Sequence, residues 1–151
     1  MFNLTGDYIR RIINKLKKKY NTSSPSELAE CLDITVIIQP LGNVWGMYKY
    51  INRNKVIFIN SVLSEIERRF VLTHEIGHAV LHPKSSCYFI NENNYVSKIK
   101  SEFEANMFAA EFLIDDVSVD QLELDGLSLE QLASSYYVPV EIMRLKFDII
   151  S

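Results

Sequence analysis

The sequence predicts an α+β fold, and three patterns in its 151 residues support this assignment. Apolar residues recur at helical spacing near the N-terminus, in residues 65–82 and in residues 102–114. Residues 34–39 form a β-branched apolar run. Residues 45–50 and 55–59 flank a turn-rich stretch, as the two strands of a β-hairpin do. We therefore expect N-terminal helices, a small antiparallel sheet and further helices.

The N-terminal part of the chain predicts two helices. Residues 5–20 alternate apolar and basic side chains at helical spacing. Such a basic helix can bind a membrane or nucleic acid, but this run is short, which favours a solvated helix face. Ser24 followed by Pro25 predicts the start of a second helix that ends near Leu32, since proline is well tolerated in the first helical turn.

A five-residue motif, His-Glu-Ile-Gly-His at residues 74–78, is the strongest functional signal. Two histidines four positions apart lie on one helix face, about 6 Å apart along an axis that rises roughly 1.5 Å per residue. Both imidazoles can then bind one zinc ion. Glu75 follows the first histidine, where a general base would accept a proton from zinc-bound water.

The sequence around the motif predicts the helix that this chemistry requires. Ser64 and Glu67 have the spacing of a capping box, which marks a helix start. Pro83 predicts the helix end, so the motif lies in a helix of about residues 65–82. Gly77 is a poor helix former, and its presence suggests a close approach by another backbone or a substrate. Two histidines buried in the core for structural reasons are the alternative interpretation.

A catalytic zinc site needs a third protein ligand. His82 is too far from His74, about 12 Å along the helix axis at roughly 1.5 Å per residue. A third histidine in the H-E-x-x-H-x-x-G-x-x-H arrangement would occupy position 84, which is Lys84. A second predicted helix, residues 102–114, offers three competing carboxylates: Glu102, Glu104 and Glu111.

The motif at residues 74–78, combined with Glu-Ala-Asn-Met-Phe-Ala-Ala-Glu at residues 104–111, resembles the ImmA/IrrE metallopeptidases of bacteria and their mobile elements. The resemblance covers most of the chain and includes Leu-Gly-Asn-Val-Trp-Gly at residues 41–46. It implies a zincin-like domain, in which the motif helix packs on a glutamate-bearing helix. It also implies Glu104 as the third ligand, with Glu102 as the alternative.

This resemblance implies a zinc-dependent endopeptidase with one Zn²⁺ per chain, held by His74, His78 and Glu104, and with Glu75 as general base. The expected substrate is an intracellular protein, a helix-turn-helix repressor of a phage or integrative element. The alternative is a catalytically silent, zinc-bound module that binds such a repressor without cutting it. A third hypothesis is a DNA-binding regulator whose metal is structural.

Residues 83–101 read as a long loop between the two ligand-bearing helices. Tyr88 or Tyr95 in this loop could donate a hydrogen bond to the oxyanion of the transition state. One strand of the hairpin could form the sheet edge that binds a substrate peptide as an extra strand. A covered structural strand is the equal alternative.

Residues 118–151 have the rhythm of a helix-turn-helix, with a turn at Val138 and Pro139. Only two basic residues, Arg144 and Lys146, accompany six acidic residues from position 118 onward. Phosphate contacts dominate DNA affinity, so this charge balance disfavours a DNA reader. We predict a metallopeptidase domain at residues 1–117 and a C-terminal packing or docking segment at residues 118–151, both in one globule.

Composition restricts the remaining possibilities. A net charge of −3 provides no overall field for nucleic acid. Cys31 and Cys87 are far apart and predict buried free thiols in a reducing compartment. No apolar run reaches the length of about 18 residues that a membrane span needs. We therefore expect a cytoplasmic protein with a protein partner, and its oligomeric state stays open.

Overall fold

A computed structural model describes residues 2–116, 119–120 and 125–150. It has the expected α+β architecture, with helices packed on a small sheet. The helices are α1 (Phe2–Tyr20), α2 (Pro25–Cys31), α3 (Glu65–Leu81), α4 (Lys100–Leu113), α5 (Leu129–Tyr136) and α6 (Val140–Ile150), and a 3₁₀ helix spans Glu92–Val96. The strands are β1 (Ile34–Gln39), β2 (Gly46–Ile51), β3 (Asn54–Asn60) and β4 (Cys87–Phe89).

The sheet is mixed, with the strand order β1-β3-β2-β4. The predicted hairpin is confirmed, because β2 and β3 pair antiparallel from Ile51 and Asn54 outward. Asn52 and Arg53 at its tip both have positive φ, as a two-residue type I′ turn requires. The small sheet expected to be antiparallel is mixed, since β1 pairs parallel to β3. The chain between β1 and β2 crosses to the far side of β3, and residue periodicity carries no information about such a crossing.

The motif helix α3 begins as its capping box predicts. The Ser64 amide donates to Glu67 Oε1 at 2.9 Å, and the Glu67 amide donates to Ser64 Oγ at 3.2 Å. Residues 70–79 are buried without interruption, so the motif lies inside the protein and not on a half-exposed face. The amide of His82 donates to the His78 carbonyl at 2.7 Å and ends the helix.

Helices α3 and α4 approach each other closely, and small residues of α4 are buried. Ala105, Ala109 and Ala110 are fully buried. A Cβ built on Gly77 would lie 3.0 Å from the Cβ of Phe108 and 3.1 Å from its Cγ. The close neighbour at Gly77 is therefore an aromatic side chain of α4, and not the backbone or substrate that the glycine suggested. This contact brings the two helices that carry the candidate ligands together.

The long loop predicted at residues 83–101 contains regular structure. Strand β4 pairs with β2 and ends the sheet, and the 3₁₀ helix follows it. A three-residue strand is too short to show alternation, so its sequence carries no strand signal. The hairpin strands are not sheet edges, since both β2 and β3 have neighbours on both sides.

The C-terminal helices pack on the rest of the protein. Ile142 and Met143 of α6 are fully buried in the same core as the side chains of α3 and α4. Lys146 of α6 is 1% exposed and contacts Glu111 of α4. The predicted domain boundary between residues 117 and 118 lies outside the described residues.

Two further features complete the fold. The cysteines are free, as expected, but they are not buried as predicted: Cys31 is exposed and Cys87 is partly exposed. Cys31 is the last residue of a short surface helix, which explains its exposure. Among the described residues, no helix is both long and apolar enough to cross a bilayer.

Candidate metal centre

His74 and His78 face each other from successive turns of α3. They are 0% and 1% exposed, and their Nε2 atoms lie 3.2 Å apart. The two ring centroids are 4.9 Å apart. The four-residue spacing therefore brings the two imidazoles together, as predicted. Burial lowers the pKa of His74, which favours the neutral imidazole that a metal ion binds.

Glu102 is the carboxylate that reaches both histidines. Its Oε2 atom lies 2.9 Å from His74 Nε2 and 2.7 Å from His78 Nε2. Burial alone would raise the pKa of Glu102, but hydrogen bonds from the two imidazoles in their protonated form, together with their positive charge, outweigh burial and lower the pKa to about 2. Glu102 therefore presents a carboxylate anion to two histidines.

Glu104, the ligand that the family resemblance implied, does not lie beside these histidines. Its Oε1 atom is 3.9 Å from Nε2 of His82, one turn beyond His78. Residues two apart on an α-helix are rotated by about 200°, so Glu102 and Glu104 leave α4 on different sides. The packing of α4 on α3 therefore brings Glu102 to the histidines. Glu111, the third competing carboxylate, lies 3.1 Å from Lys146 Nζ and takes part in a separate ion cluster.

Asn106 orients His74, a role that the sequence analysis did not assign. Its Oδ1 atom lies 2.8 Å from His74 Nδ1, and its amide donates to the carbonyl of Asn94 at 2.7 Å. An amide oxygen only accepts, so His74 Nδ1 carries the hydrogen and Nε2 keeps a free lone pair. A buried asparagine in a motif next to a candidate ligand was the signal that could have revealed this role.

Glu75 is enclosed beside the two histidines. It is 0% exposed, and its Oε2 atom accepts a hydrogen bond from Cys87 Sγ at 3.5 Å. Its Oε1 atom has no hydrogen-bond partner among the described residues. Burial raises the pKa of Glu75 well above its ordinary value, and the charge of Glu102 adds to this shift. A carboxylate with a raised pKa is a stronger base.

Cys87 on strand β4 completes a second group of ligand atoms. The ligand atoms of Glu75, His78 and Cys87 all lie within 4.8 Å of one another, as do those of His74, His78 and Glu102. Burial raises the pKa of the Cys87 thiol, and the carboxylates of Glu75 and Glu102 raise it further. The thiol is therefore protonated near neutral pH.

Aromatic rings form one wall of the site. The ring of Phe89, also on β4, meets His74 edge to face with centroids 4.8 Å apart. Tyr95 packs on Phe70 and Phe89 at 5.2 and 5.7 Å. Tyr88, the other tyrosine considered as an oxyanion donor, is 48% exposed on the edge strand. Strand β4 therefore borders the histidines through Phe89 and borders Glu75 through Cys87.

Comparisons with known proteins match most of the chain. Residues 29–148 match a peptidase family model described as the IrrE N-terminal-like domain. The chain is 44% identical over 139 residues to "Uncharacterized immunity region protein 2" of Bacillus phage phi105, covering 91% of this chain and 88% of that protein. It is 27% identical over 139 residues to "Metallopeptidase ImmA" of Bacillus subtilis (strain 168), covering 89% of this chain and 81% of that protein.

Proposed function

Because the chain belongs to the ImmA/IrrE metallopeptidase family, we propose that it is a zinc-dependent endopeptidase that cleaves a specific protein substrate. His74, His78 and Glu102 hold the ion in this proposal, and Glu75 is the general base. Glu102 takes the place that the resemblance had given to Glu104.

The observation that carries the proposal is the convergence of three electron-pair donors in a buried space. Two histidine Nε2 atoms and Glu102 Oε2 lie 2.7 to 3.2 Å from one another. Atoms placed tetrahedrally at about 2.0–2.1 Å from zinc lie roughly 3.3 Å apart, which is close to these separations. Lone pairs gathered this closely repel one another unless a metal ion or protons lie between them. Two imidazoles and one carboxylate are also a usual donor set for catalytic zinc.

The protein's own residues then perform the proton transfers. His74, His78 and Glu102 would hold a zinc ion, which would supply the Lewis acidity that polarises a scissile carbonyl and lowers the pKa of water. Glu75 accepts a proton from the attacking water and later passes it to the nitrogen of the leaving amine. Its Oε1 atom has no partner in the described structure, so this oxygen is free to take the proton. Asn106 holds His74 in the tautomer that keeps Nε2 available.

Strand β4 is the favoured binding edge for the substrate backbone. It pairs with β2 on one side and ends the sheet on the other. Phe89 and Cys87 of β4 contact His74 and Glu75, so a peptide added along this edge would pass beside the metal site. Main-chain hydrogen bonds would then hold an extended substrate.

The proposed substrate is a repressor protein of a phage or integrative element. The supporting observation is the similarity to a phage protein named for an immunity region. The third hypothesis, a DNA-binding regulator, is less well supported. Of the two basic residues in the C-terminal segment, Lys146 is buried against Glu111, so only Arg144 could contact phosphates.

Labelling of new protein N-termini, read by mass spectrometry, tests this function. We would compare bacterial cells that express the chain with cells that express Glu75→Gln, which should lose cleavage while keeping the three ligands. Glu65→Gln is the matched control, since Glu65 is an exposed glutamate on the same helix. We expect one or a few termini with the native chain and the control that are absent with Glu75→Gln. Identical termini in all three, at matched expression and under DNA-damaging stress, would favour the non-cleaving binding module.

A further inference from the structure

The site contains a second possible set of metal-ligand atoms, of which only Cys87 has no role in the proposed catalysis. Glu75, His78 and Cys87 contribute a carboxylate, an imidazole and a thiol, all within 4.8 Å of one another. Cys87 is close to Glu75 in particular, with Sγ 3.5 Å from Oε2. His78 belongs to both sets, so the two sets are adjacent and share a ligand.

An unpartnered buried oxygen points independently to a ligand at this place. Glu75 is 0% exposed, and its Oε1 atom has no partner among the described residues. A buried carboxylate is costly unless it is paired with a cation or hydrogen bonded. A cation between Glu75 and Cys87 would satisfy this oxygen. Cys87 is partly exposed on the edge strand, so an ion from solvent can reach the set.

The three donor types select the kind of ion. A thiol sulfur is a soft ligand that favours zinc and other thiophilic ions, whereas magnesium and calcium prefer oxygen ligands. Binding breaks the Sγ–H bond of Cys87, releases that proton to solvent and forms a sulfur–metal bond. No oxidant or reductant takes part in this step.

We propose that Glu75, His78 and Cys87 form a second, inhibitory binding set for a thiophilic divalent cation such as Zn²⁺ or Cd²⁺. A neutral imidazole has one lone pair for a metal, because its other nitrogen carries a hydrogen. His78 therefore serves one set at a time, and an ion bound through Cys87 competes with the His74–His78–Glu102 set. The same ion would also occupy the carboxylate of Glu75. The inhibitory consequence rests on the proposed peptidase function, whereas the binding set itself does not.

Cobalt spectroscopy tests the binding set without any assay of proteolysis. Metal-free protein is titrated with Co²⁺, and the near-ultraviolet band of sulfur-to-cobalt charge transfer is recorded. The matched variants are Cys87→Ser and Cys31→Ser, which remove the proposed ligand and the exposed cysteine of α2 respectively. We expect the band in the native chain and in Cys31→Ser, and its loss in Cys87→Ser. In Glu75→Gln, the Co²⁺ concentration needed to produce the band should rise by at least about tenfold. Disturbing the partners of a metal site weakens its affinity roughly 10–100-fold.

Two results would overturn the proposal: a native chain that binds Co²⁺ by equilibrium dialysis without the band, or a Cys87→Ser variant that keeps it. Cys87→Ala, checked for native circular dichroism, repeats the test with a side chain that cannot coordinate. Once a substrate is available, Cd²⁺ added to the zinc-loaded enzyme should inhibit the native chain at about tenfold lower concentration than Cys87→Ser, a ratio expected from the same affinity loss. Equal inhibition of the native chain and Cys87→Ser would reject the inhibitory role. If the protein proves to have no cleavage activity, the cobalt spectrum still tests the binding set.

Discussion

His74, Glu75 and His78 occupy positions that their spacing in the sequence already determines. A helix places residues four apart on one face, so no tertiary information was needed to predict the approach of the two imidazoles. The choice between Glu102 and Glu104 as the third ligand could not be made from spacing alone. Both carboxylates lie on α4, and only the rotation of α4 against α3 decides which one meets the histidines. That rotation depends on packing, including the contact of Gly77 with Phe108.

The hydrogen bond from His74 to Asn106 predicts that Asn106 contributes to metal affinity. Asn106→Ala removes the acceptor at Nδ1, so the ring loses its fixed orientation and tautomer. We expect metal affinity to fall about 10–100-fold, measured by competition with a chromophoric chelator. Asn93→Ala is the control, because Asn93 is an exposed asparagine of the neighbouring 3₁₀ helix. If the two variants bind the metal with equal affinity, Asn106 does not support the metal site.

At the scale of elements, local sequence signals predicted where helices and strands form. They did not predict which strands pair with each other. The Ser64–Glu67 capping box and the run of β-branched residues at 34–39 are local features, and both elements formed where they indicated. Strand β4 was not predicted because three residues carry no periodic signal. Its extended conformation is stabilised by hydrogen bonds to β2, which the sequence of β4 does not indicate. The parallel pairing of β1 with β3 was missed since neither strand's composition identifies its partner.

Gly46 gives a prediction for the strands that border the site. A Cβ built on Gly46 would lie 2.5 Å from Val71 Cγ1 of α3, and Gly46 pairs with Phe89 in the sheet. Gly46→Ala should therefore overpack the junction of β2 and α3 and lower the free energy of unfolding by about 1–3 kcal/mol. Urea denaturation measures this loss.

The same contact can be separated by a double-mutant cycle. Val71→Ala removes the clashing methyl groups, so the cost of Gly46→Ala should shrink by more than about 0.5 kcal/mol in that background. A cost that is unchanged in the Val71→Ala background would mean that Val71 is not the obstacle. In that case the nearby Phe58 carbonyl, 3.3 Å from the built Cβ, would be the next atom to consider.

At the scale of the whole molecule, the C-terminal segment supports the helix that carries Glu102. The sequence predicted a packing unit at residues 118–151 from its acidic character. We propose that this segment folds together with the peptidase domain. The supporting contacts are the buried ion pair of Lys146 with Glu111 at 3.1 Å, a second contact of Lys146 with Asp116, and contacts of Arg10 from α1 with both acids. Helices α1, α4 and α6 meet at this cluster, which periodicity alone could not reveal.

Lys146→Met tests that proposal. The variant leaves Glu111 buried, with Arg10 at 3.5 Å as its remaining ion-pair partner among the described residues. Breaking a buried ion pair from one side costs about 3–5 kcal/mol, and the residual Arg10 contact favours the lower end of that range. Arg144→Met is the control on the same helix, where an exposed side chain should change stability by less than about 0.5 kcal/mol. Similar unfolding midpoints in urea for both variants would show that the C-terminal segment contributes little to the stability of the domain.

The metal content of two purified variants tests the proposed zinc site most directly. Glu102→Gln and Glu104→Gln make the same chemical change two residues apart on α4, and both side chains are largely buried. After equilibration with zinc and removal of free ion, we expect about one Zn²⁺ per chain in the native protein and in Glu104→Gln, as a single three-ligand site requires. In a Cys87→Ser background, which removes the second ligand set, Glu102→Gln should retain far less. Full zinc content in Glu102→Gln together with loss in Glu104→Gln would contradict the proposed site and return the third ligand to Glu104.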